Sequence, residues 1–298
     1  MELKQAKGNT WYLADWQLTP LYMTDRTHCI LIDTGDLTQR EEIIELLKSK
    51  NITPVGILGT HVHTDHSPNH AFFKELYHIP LALSLNEAAI CSGKTMLKAY
   101  YFMLTEGQIL EFDDYSNMLV KTDRIILPEE DSISFCGAEF KIIKTPGHSP
   151  GHISIVTPDG VLCIGDALFS SDYLADSKLP YFFSLKTAIE TMNHLKTADY
   201  PCYLLAHRGV CSSIQTLADE NIKEINIWAD RVKAVLDTPL SVGDSIAAVC
   251  KETCLLSSRV FKSTLYERNI RPYIDYLTDC GKLETFAKDG VTFYRPAG

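Results

Sequence analysis

The stretch Val55-Gly56-Ile57-Leu58-Gly59-Thr60-His61-Val62-His63-Thr64-Asp65-His66 decides how this chain is read. Its first half is a short apolar run that fits a strand. Its second half packs His61, His63, Asp65 and His66 into one H-x-H-x-D-H cluster. Imidazole nitrogen and carboxylate oxygen are the donors that hold zinc and similar divalent ions. A strand leading straight into them puts these side chains on a loop at its carboxyl end, where α/β sheets build their sites. His61 and His63 can face one way while Asp65 and His66 turn toward a second ion. So short a segment does not close a two-ion site, so more donors must come from elsewhere.

Three further candidates stand in the same context, each just past an apolar strand. His148 lies in Thr145-Pro146-Gly147-His148-Ser149-Pro150-Gly151-His152, after FKIIK (140–144); Asp166 ends VLCIGD; His207 ends CYLLAH. Other runs predict strands at 29–33, 55–59, 80–84, 132–136, 153–157 and 161–165. Hairpins are expected at Gly137 and at Pro158–Gly160, the latter closed by two or three residues. Helical spacing falls at Gln39–Lys50, Asn69–Tyr77, Asn86–Ser92 and Leu185–Lys196, the last opened by Ser184 as a cap. Residues 94–116, rich in Tyr, Phe, Met and Leu, read either as a helical flap over a pocket or as a helix packed on the sheet. Texture changes near residue 212. A long helix over Ile214–Leu236, helices at Val242–Glu252 and Thr264–Thr278, and a hairpin turning at Asp289–Gly290 make a small winged-helix-like unit. The expected division is 1–212 catalytic and 213–298 helical and winged-helix-like.

H-x-H-x-D-H, followed by TPGHSPGH, Gly165-Asp166 and the late strand-end His207, resembles the metallo-β-lactamase superfamily of hydrolases. The early Leu31-Ile32-Asp33-Thr34-Gly35 matches too, so the resemblance covers roughly residues 10–210. It implies an α/β, four-layer αββα sandwich, two mixed sheets between outer helices. It implies His61, His63 and His148 on one metal, Asp65, His66 and His207 on the other, and Asp166 bridging both. Asp33 would be structural, supporting the ligands, and His152 a supporting residue. Zinc is the default for both divalent ions, and the donor set also suits iron or manganese. Two such ions share a hydroxide, lower its pKa and stabilise the oxyanion that forms. Asp166 orients the pair and Asp65 can take the nucleophile's proton, which makes these two the catalytic carboxylates. Tyr173 and His152 are candidates for the general acid, and Lys178 and Arg208 for gripping an anionic tail. The tail's texture resembles the appended unit of the lactonase-β-2-like branch. The match to the glyoxalase-II-like branch is partial, because Ala206-His207-Arg208-Gly209 stands where those relatives carry Gly-His-Glu. The expected activity is hydrolysis of a small ester, thioester or lactone. The alternatives are a phosphodiesterase or ribonuclease of the same superfamily and a non-catalytic, metal-bound winged-helix binding protein.

Composition narrows the partners to a small-molecule substrate. The 298 residues carry 28 Lys and Arg against 38 Asp and Glu, a net charge of −10, which works against a long-range field for nucleic acid. Arg259, Lys262, Arg268 and Arg271 make a modest basic cluster, diluted by Glu267, Asp275 and Asp279. No run approaches about 18 apolar residues, so no membrane span is expected. The charged amino end and nine scattered cysteines without a CxxC fit reduced thiols in the cytoplasm. An edge helix or the tail offers a surface for a homodimer.

Overall fold

Along His28–Ile32, Cys29 and Leu31 point into one apolar layer and Ile30 and Ile32 into another. A strand buried on both faces needs cover on both sides, and that requirement builds a sandwich. The computed structural model describes residues 1–177 and 179–298. Its first sheet runs in chain order: β1 (Glu2–Lys7), β2 (Thr10–Ala14), β3 (Thr19–Met23), β4 (His28–Ile32), β5 (Thr53–Leu58), β6 (Leu81–Ser84) and β7 (Arg124–Ile126). β1 to β4 pair antiparallel, and β4 to β7 pair parallel. The second sheet holds β8 (Ser132–Phe135), β9 (Ala138–Lys144), β10 (Ile153–Val156), β11 (Val161–Gly165), β12 (Cys202–Leu205) and β13 (Gly209–Cys211). Its order is β13-β12-β11-β10-β9-β8, with β11 and β12 parallel and the other neighbours antiparallel.

Between the sheets, Tyr22, Ile30, Ile32, Leu58 and Ala82 meet Ile133, Phe140, Ile155, Cys163 and Leu204. Outside the first sheet lie α1 (Arg40–Ser49), α2 (His70–Tyr77), α3 (Leu85–Cys91), α4 (Lys94–Tyr100), α5 (Glu106–Glu111) and α6 (Asp113–Ser116). Outside the second lie α7 (Ser171–Asp176), α8 (Leu185–Leu195) and α9 (Gln215–Val235). This is the four-layer αββα sandwich that the motif implied. Each fully buried Leu or Ile in these layers contributes about 1.5–3 kcal/mol.

Two local expectations need correction. The turn between β10 and β11 takes four residues, Thr157 to Gly160, and Gly160 closes it at φ +78°. The stretch 94–116 is neither one flap nor one helix. α4 stops at Tyr101, and Thr105 restarts the chain by capping α5 through the Gln108 N–H. Its Leu97, Tyr101, Ile109 and Tyr115 are core. Only its Tyr100 reaches toward the strand-end rim.

The carboxyl-terminal region adds α10 (Val242–Glu252), α11 (Val260–Asp279) and a small sheet of β14 (Leu240–Ser241), β15 (Leu283–Lys288) and β16 (Val291–Pro296) in the order β14-β16-β15. Asp289 and Gly290, at φ +52° and +79°, form the two-residue turn between β15 and β16. Val249, Ile270, Tyr273, Ile274, Leu277 and Tyr294 join the same apolar layer as Ile164, Leu205 and Met192. Asn269 donates to the Leu179 carbonyl at 3.1 Å and Tyr273 to the Pro180 carbonyl at 3.3 Å. α11 is thereby fixed against the loop that follows Asp166.

Candidate metal centre

Four strand ends supply the site: β5 leads to His61–His66, β9 to His148, β11 to Asp166 and β12 to His207. Asp33, one residue past β4, holds the first loop. Its left-handed φ of +61° turns a buried carboxylate inward, where it accepts the Thr60 N–H at 2.7 Å and the Thr60 hydroxyl at 2.6 Å. The same carboxylate faces His66 Nδ1 at 3.0 Å. Gly147 adopts φ +129°, and a Cβ there would lie 2.4 Å from the Ala188 nitrogen, so only glycine lets the His148 loop pass α8.

Glu87 on α3, which sequence reasoning did not single out, ties the two ligand loops together. Its buried carboxylate accepts the Val62 N–H at 2.8 Å, the Ser149 hydroxyl at 2.7 Å and the Gly151 N–H at 2.8 Å. Burial pushes its pKa up, and the three donors counter that push. A lone Glu in a helical stretch gives no hint of this, because its partners lie far away in sequence.

The structure gathers the predicted ligands into two adjoining groups. The donor atoms of His61, His63 and His148 lie within 4.8 Å of one another, as do those of Asp65, His66, Asp166 and His207. His63 Nδ1 stands 2.8 Å from His148 Nε2, and His148 Nε2 stands 3.4 Å from Asp166 Oδ2, which joins the groups. His207 Nε2 faces Asp166 Oδ2 at 3.1 Å and Asp65 Oδ2 at 3.2 Å. Among the described residues, the buried His61 Nε2 has no hydrogen-bond partner, and His66 Nε2 and Asp166 Oδ1 have only each other, at 3.3 Å. Leaving a buried polar atom such as His61 Nε2 unpaired costs about 1–3 kcal/mol. Converging N and O donors of this kind fit divalent ions, and the same set accepts zinc, iron or manganese.

The two groups differ in charge. Burial drives His61 and His63 well below the usual histidine range and His148 down to about 4, so all three are neutral donors. In the other group, burial also opposes charge on His66 and His207, but Asp166 and Asp65 outweigh it. They lift His66 well above its ordinary value and His207 to about 9. Asp166 is correspondingly held far below the normal carboxylate range.

Outer contacts fix the rings. His63 Nε2 shares a hydrogen bond with the Tyr100 hydroxyl at 2.8 Å, and His148 Nδ1 donates to the Tyr181 carbonyl at 3.1 Å. The Tyr100 and Tyr181 hydroxyls are themselves 3.3 Å apart. His152 accepts the Asp166 N–H at Nε2, 3.0 Å, and meets the Thr145 hydroxyl at Nδ1, 2.8 Å. Both of its nitrogens are thus engaged behind Asp166. Tyr173 stacks on His207 with ring centroids 4.6 Å apart, and burial raises its pKa, so its hydroxyl stays protonated. Arg208 is exposed and paired with Asp176. Lys178 lies outside the described residues.

This strand-end cluster can be set beside known proteins. Residues 17–207 match the profile of the metallo-beta-lactamase superfamily. The chain belongs to that superfamily. Within it, the chain is 28% identical over 169 residues to a hydroxyacylglutathione hydrolase of Wigglesworthia glossinidia brevipalpis, covering 56% of this chain and 53% of that protein. It is 31% identical over 166 residues to a protein of Streptococcus pyogenes described as a probable metallo-hydrolase, covering 55% and 63%. The alignments thus span about half to two-thirds of these relatives' length. A beta-lactamase domain protein from Burkholderia ambifaria superposes with a TM-score of 0.71 at 16% identity, over 99% of this chain and 94% of that one. A superfamily protein from Thermus thermophilus does so with a TM-score of 0.69 at 17% identity, over 99% and 98%. Both superpositions extend through the carboxyl-terminal region, so its arrangement is part of a shared fold.

Proposed function

We propose that this chain is a dinuclear metal-dependent hydrolase acting on a small ester, thioester or lactone. The observation that carries it is the convergence of His61, His63, His148, Asp65, His66, Asp166 and His207, with the buried His61 Nε2 left unpaired. Bound divalent ions would supply Lewis acidity and make a water nucleophilic at neutral pH. The neutral imidazoles of His61, His63 and His148 hold one ion without cancelling its charge. Asp65, the partly exposed member of the set at 26%, is the carboxylate that would accept a proton from a water activated there. Asp166 contacts both groups and keeps them in register. Tyr173, stacked on His207 with its hydroxyl kept protonated by burial, is the candidate that would donate to the leaving group. Zinc is the expected metal, and iron or manganese suits the same donors.

The relatives described as hydroxyacylglutathione hydrolases support a thioester, while Arg208 facing Asp176 departs from a tail-gripping role. The packing of the tail favours a small substrate over nucleic acid. The helix–strand order of residues 215–298 supports a winged-helix-like unit after residue 212, but α11 is already occupied. Phe261 packs on Phe112 and Tyr115, Arg268 lies over Tyr181, and Arg271 pairs with Asp275. Nine free cysteines support a reducing cytoplasm, and no helix of the described residues is long and apolar enough to cross a membrane.

Elemental analysis of protein purified without added metal, followed by a screen of thioesters, lactones and bis(p-nitrophenyl) phosphate, tests the reading. Two equivalents of metal with thioester or lactone turnover support it. Turnover of the phosphodiester alone shifts the assignment to the phosphodiesterase branch, and a blank across all classes favours a non-catalytic protein.

A further inference from the structure

Beside the metal centre, α4 and α11 enclose a cavity of about 490 Å³. Ile90, Met96, Ala99, Phe102, Met103 and Phe183 make it apolar, and three of these sit at its mouth with large exposed surfaces: Met96 at 46%, Phe102 at 53% and Phe183 at 49%. Its inner wall is the Tyr100–Tyr181 pair, whose other side holds His63 and His148. The polar lining is brief. Arg271 is neutralised by Asp275 at 3.0 Å. Arg268 is not neutralised: among the described residues no carboxylate lies within 4.0 Å of it. Its guanidinium carbon lies 3.9 Å from the Tyr181 ring centre and 5.7 Å from that of Tyr101, and its one side-chain hydrogen bond runs from Nε to Asn269 at 3.3 Å. A cation–π contact does not take up guanidinium N–H donors, and their fork matches a carboxylate.

A half-buried cation without a counter-ion, in an apolar cavity one ring away from the ligand histidines, calls for an anion with an apolar body. The Tyr181 ring stands 5.3 Å from His63 and 5.6 Å from His148, so one ring's width separates the cavity from the ligand histidines. We propose that this cavity takes the tail of the substrate: an ester or thioester whose acyl group is apolar and ends in a carboxylate held by Arg268. This rests on the hydrolase reading above and narrows it. It also moves the anion-gripping role from Arg208, which faces Asp176, to a residue on the carboxyl-terminal helix.

The test uses octanoate and octanamide, which differ in charge but hardly in shape, with calorimetry on the full chain as purified and after chelation. Octanoate should bind both preparations, with octanamide roughly tenfold weaker or worse, the size expected for a charged hydrogen-bonded pair. Arg268→Gln should erase that preference and Arg268→Lys restore part of it. Ala99→Trp, which fills the cavity from another side, should block both ligands, with circular dichroism reporting the fold of each variant. On the metal-loaded enzyme, an ω-carboxy thioester should show a KM roughly tenfold below its amide-capped counterpart, and Arg268→Gln should close the gap. Octanoate that binds only the metal-loaded protein, or binds Arg268→Gln equally well, overturns the proposal and leaves the hydrolase reading intact. Octanoate bound through Arg268 in a protein that turns over no ester, thioester or lactone sinks the hydrolase reading and with it the role as a substrate tail.

Discussion

The two halves of the metal centre use similar ligands and pay for metal differently. His61, His63 and His148 form an all-imidazole set that burial keeps neutral. Asp65, His66, Asp166 and His207 form a mixed set that, without metal, holds itself together by ion pairing. A cation entering the first set meets donors already deprotonated. A cation entering the second must displace protons from His66 and His207. One carboxylate-rich half thus supplies both cohesion of the rim and a pH dependence that the other half lacks.

Removing the shared member should have the largest effect. Asp166→Asn leaves the shape but strips the charge that both groups lean on. Turnover should fall on the order of 10²–10³-fold or more, with metal content dropping in both groups, as read by elemental analysis and steady-state rates. If only one equivalent is lost, the two halves are less coupled than the 3.4 Å and 3.1 Å contacts of Asp166 indicate.

Proton accounting sharpens the contrast. The His207 pKa is raised from 6.5 to about 9 in the folded metal-free chain. Its stabilising effect is therefore fully present below pH 6.5 and lost as pH rises through about 9, a loss of about 3 kcal/mol. Metal-free protein should melt at progressively lower temperature across that window, and His207→Asn should flatten the profile. Loading zinc at pH 7 should release about one to two protons, all from the mixed set, measurable by calorimetry in two buffers.

Tyr100→Phe acts on the imidazole set alone. Without its hydroxyl, His63 Nε2 loses its partner, and affinity for the ion in that set should fall about 10–100-fold while the mixed set holds its own. A two-step chelator competition resolves the two affinities. Equal losses in both sets would show that Tyr100 supports the fold generally.

Glu87→Gln should be mildest on chemistry and visible on stability. It replaces acceptor capacity with donors facing the Val62, Ser149 and Gly151 donors, at a cost of about 1–3 kcal/mol in denaturant unfolding. Both ligand loops should loosen together, since one side chain ties them.

Several parts of this were legible along the chain because they are local. H-x-H-x-D-H after an apolar strand, a histidine after Pro146-Gly147, and Asp166 and His207 at strand ends each announce donor type and position. The strands β11 and β12 and the inner parts of β4 and β5 are buried on both faces and so read as apolar runs. β1 to β3 escaped notice. β1 is exposed and charged at the sheet's edge, and β3 carries Thr19 and Pro20 in a fully buried run that mixes polar and apolar residues. The extent of α11 was read short by four residues at its start, because Val260–Ser263 continues a helix whose Phe261 packs on α5 and α6 neighbours far away in sequence.

The sequence by itself determined the ligand types and, through the resemblance its motifs carry, pointed to the superfamily and its sandwich, because a motif's spacing is a property of neighbouring residues. Only the tertiary structure decided which histidines stay neutral, which tyrosine holds His63, that Glu87 joins two loops, and that Arg268 on a distant helix faces the cavity beside the centre. Those outcomes depend on desolvation and on partners brought together from far along the chain, and neither quantity is written in any local stretch.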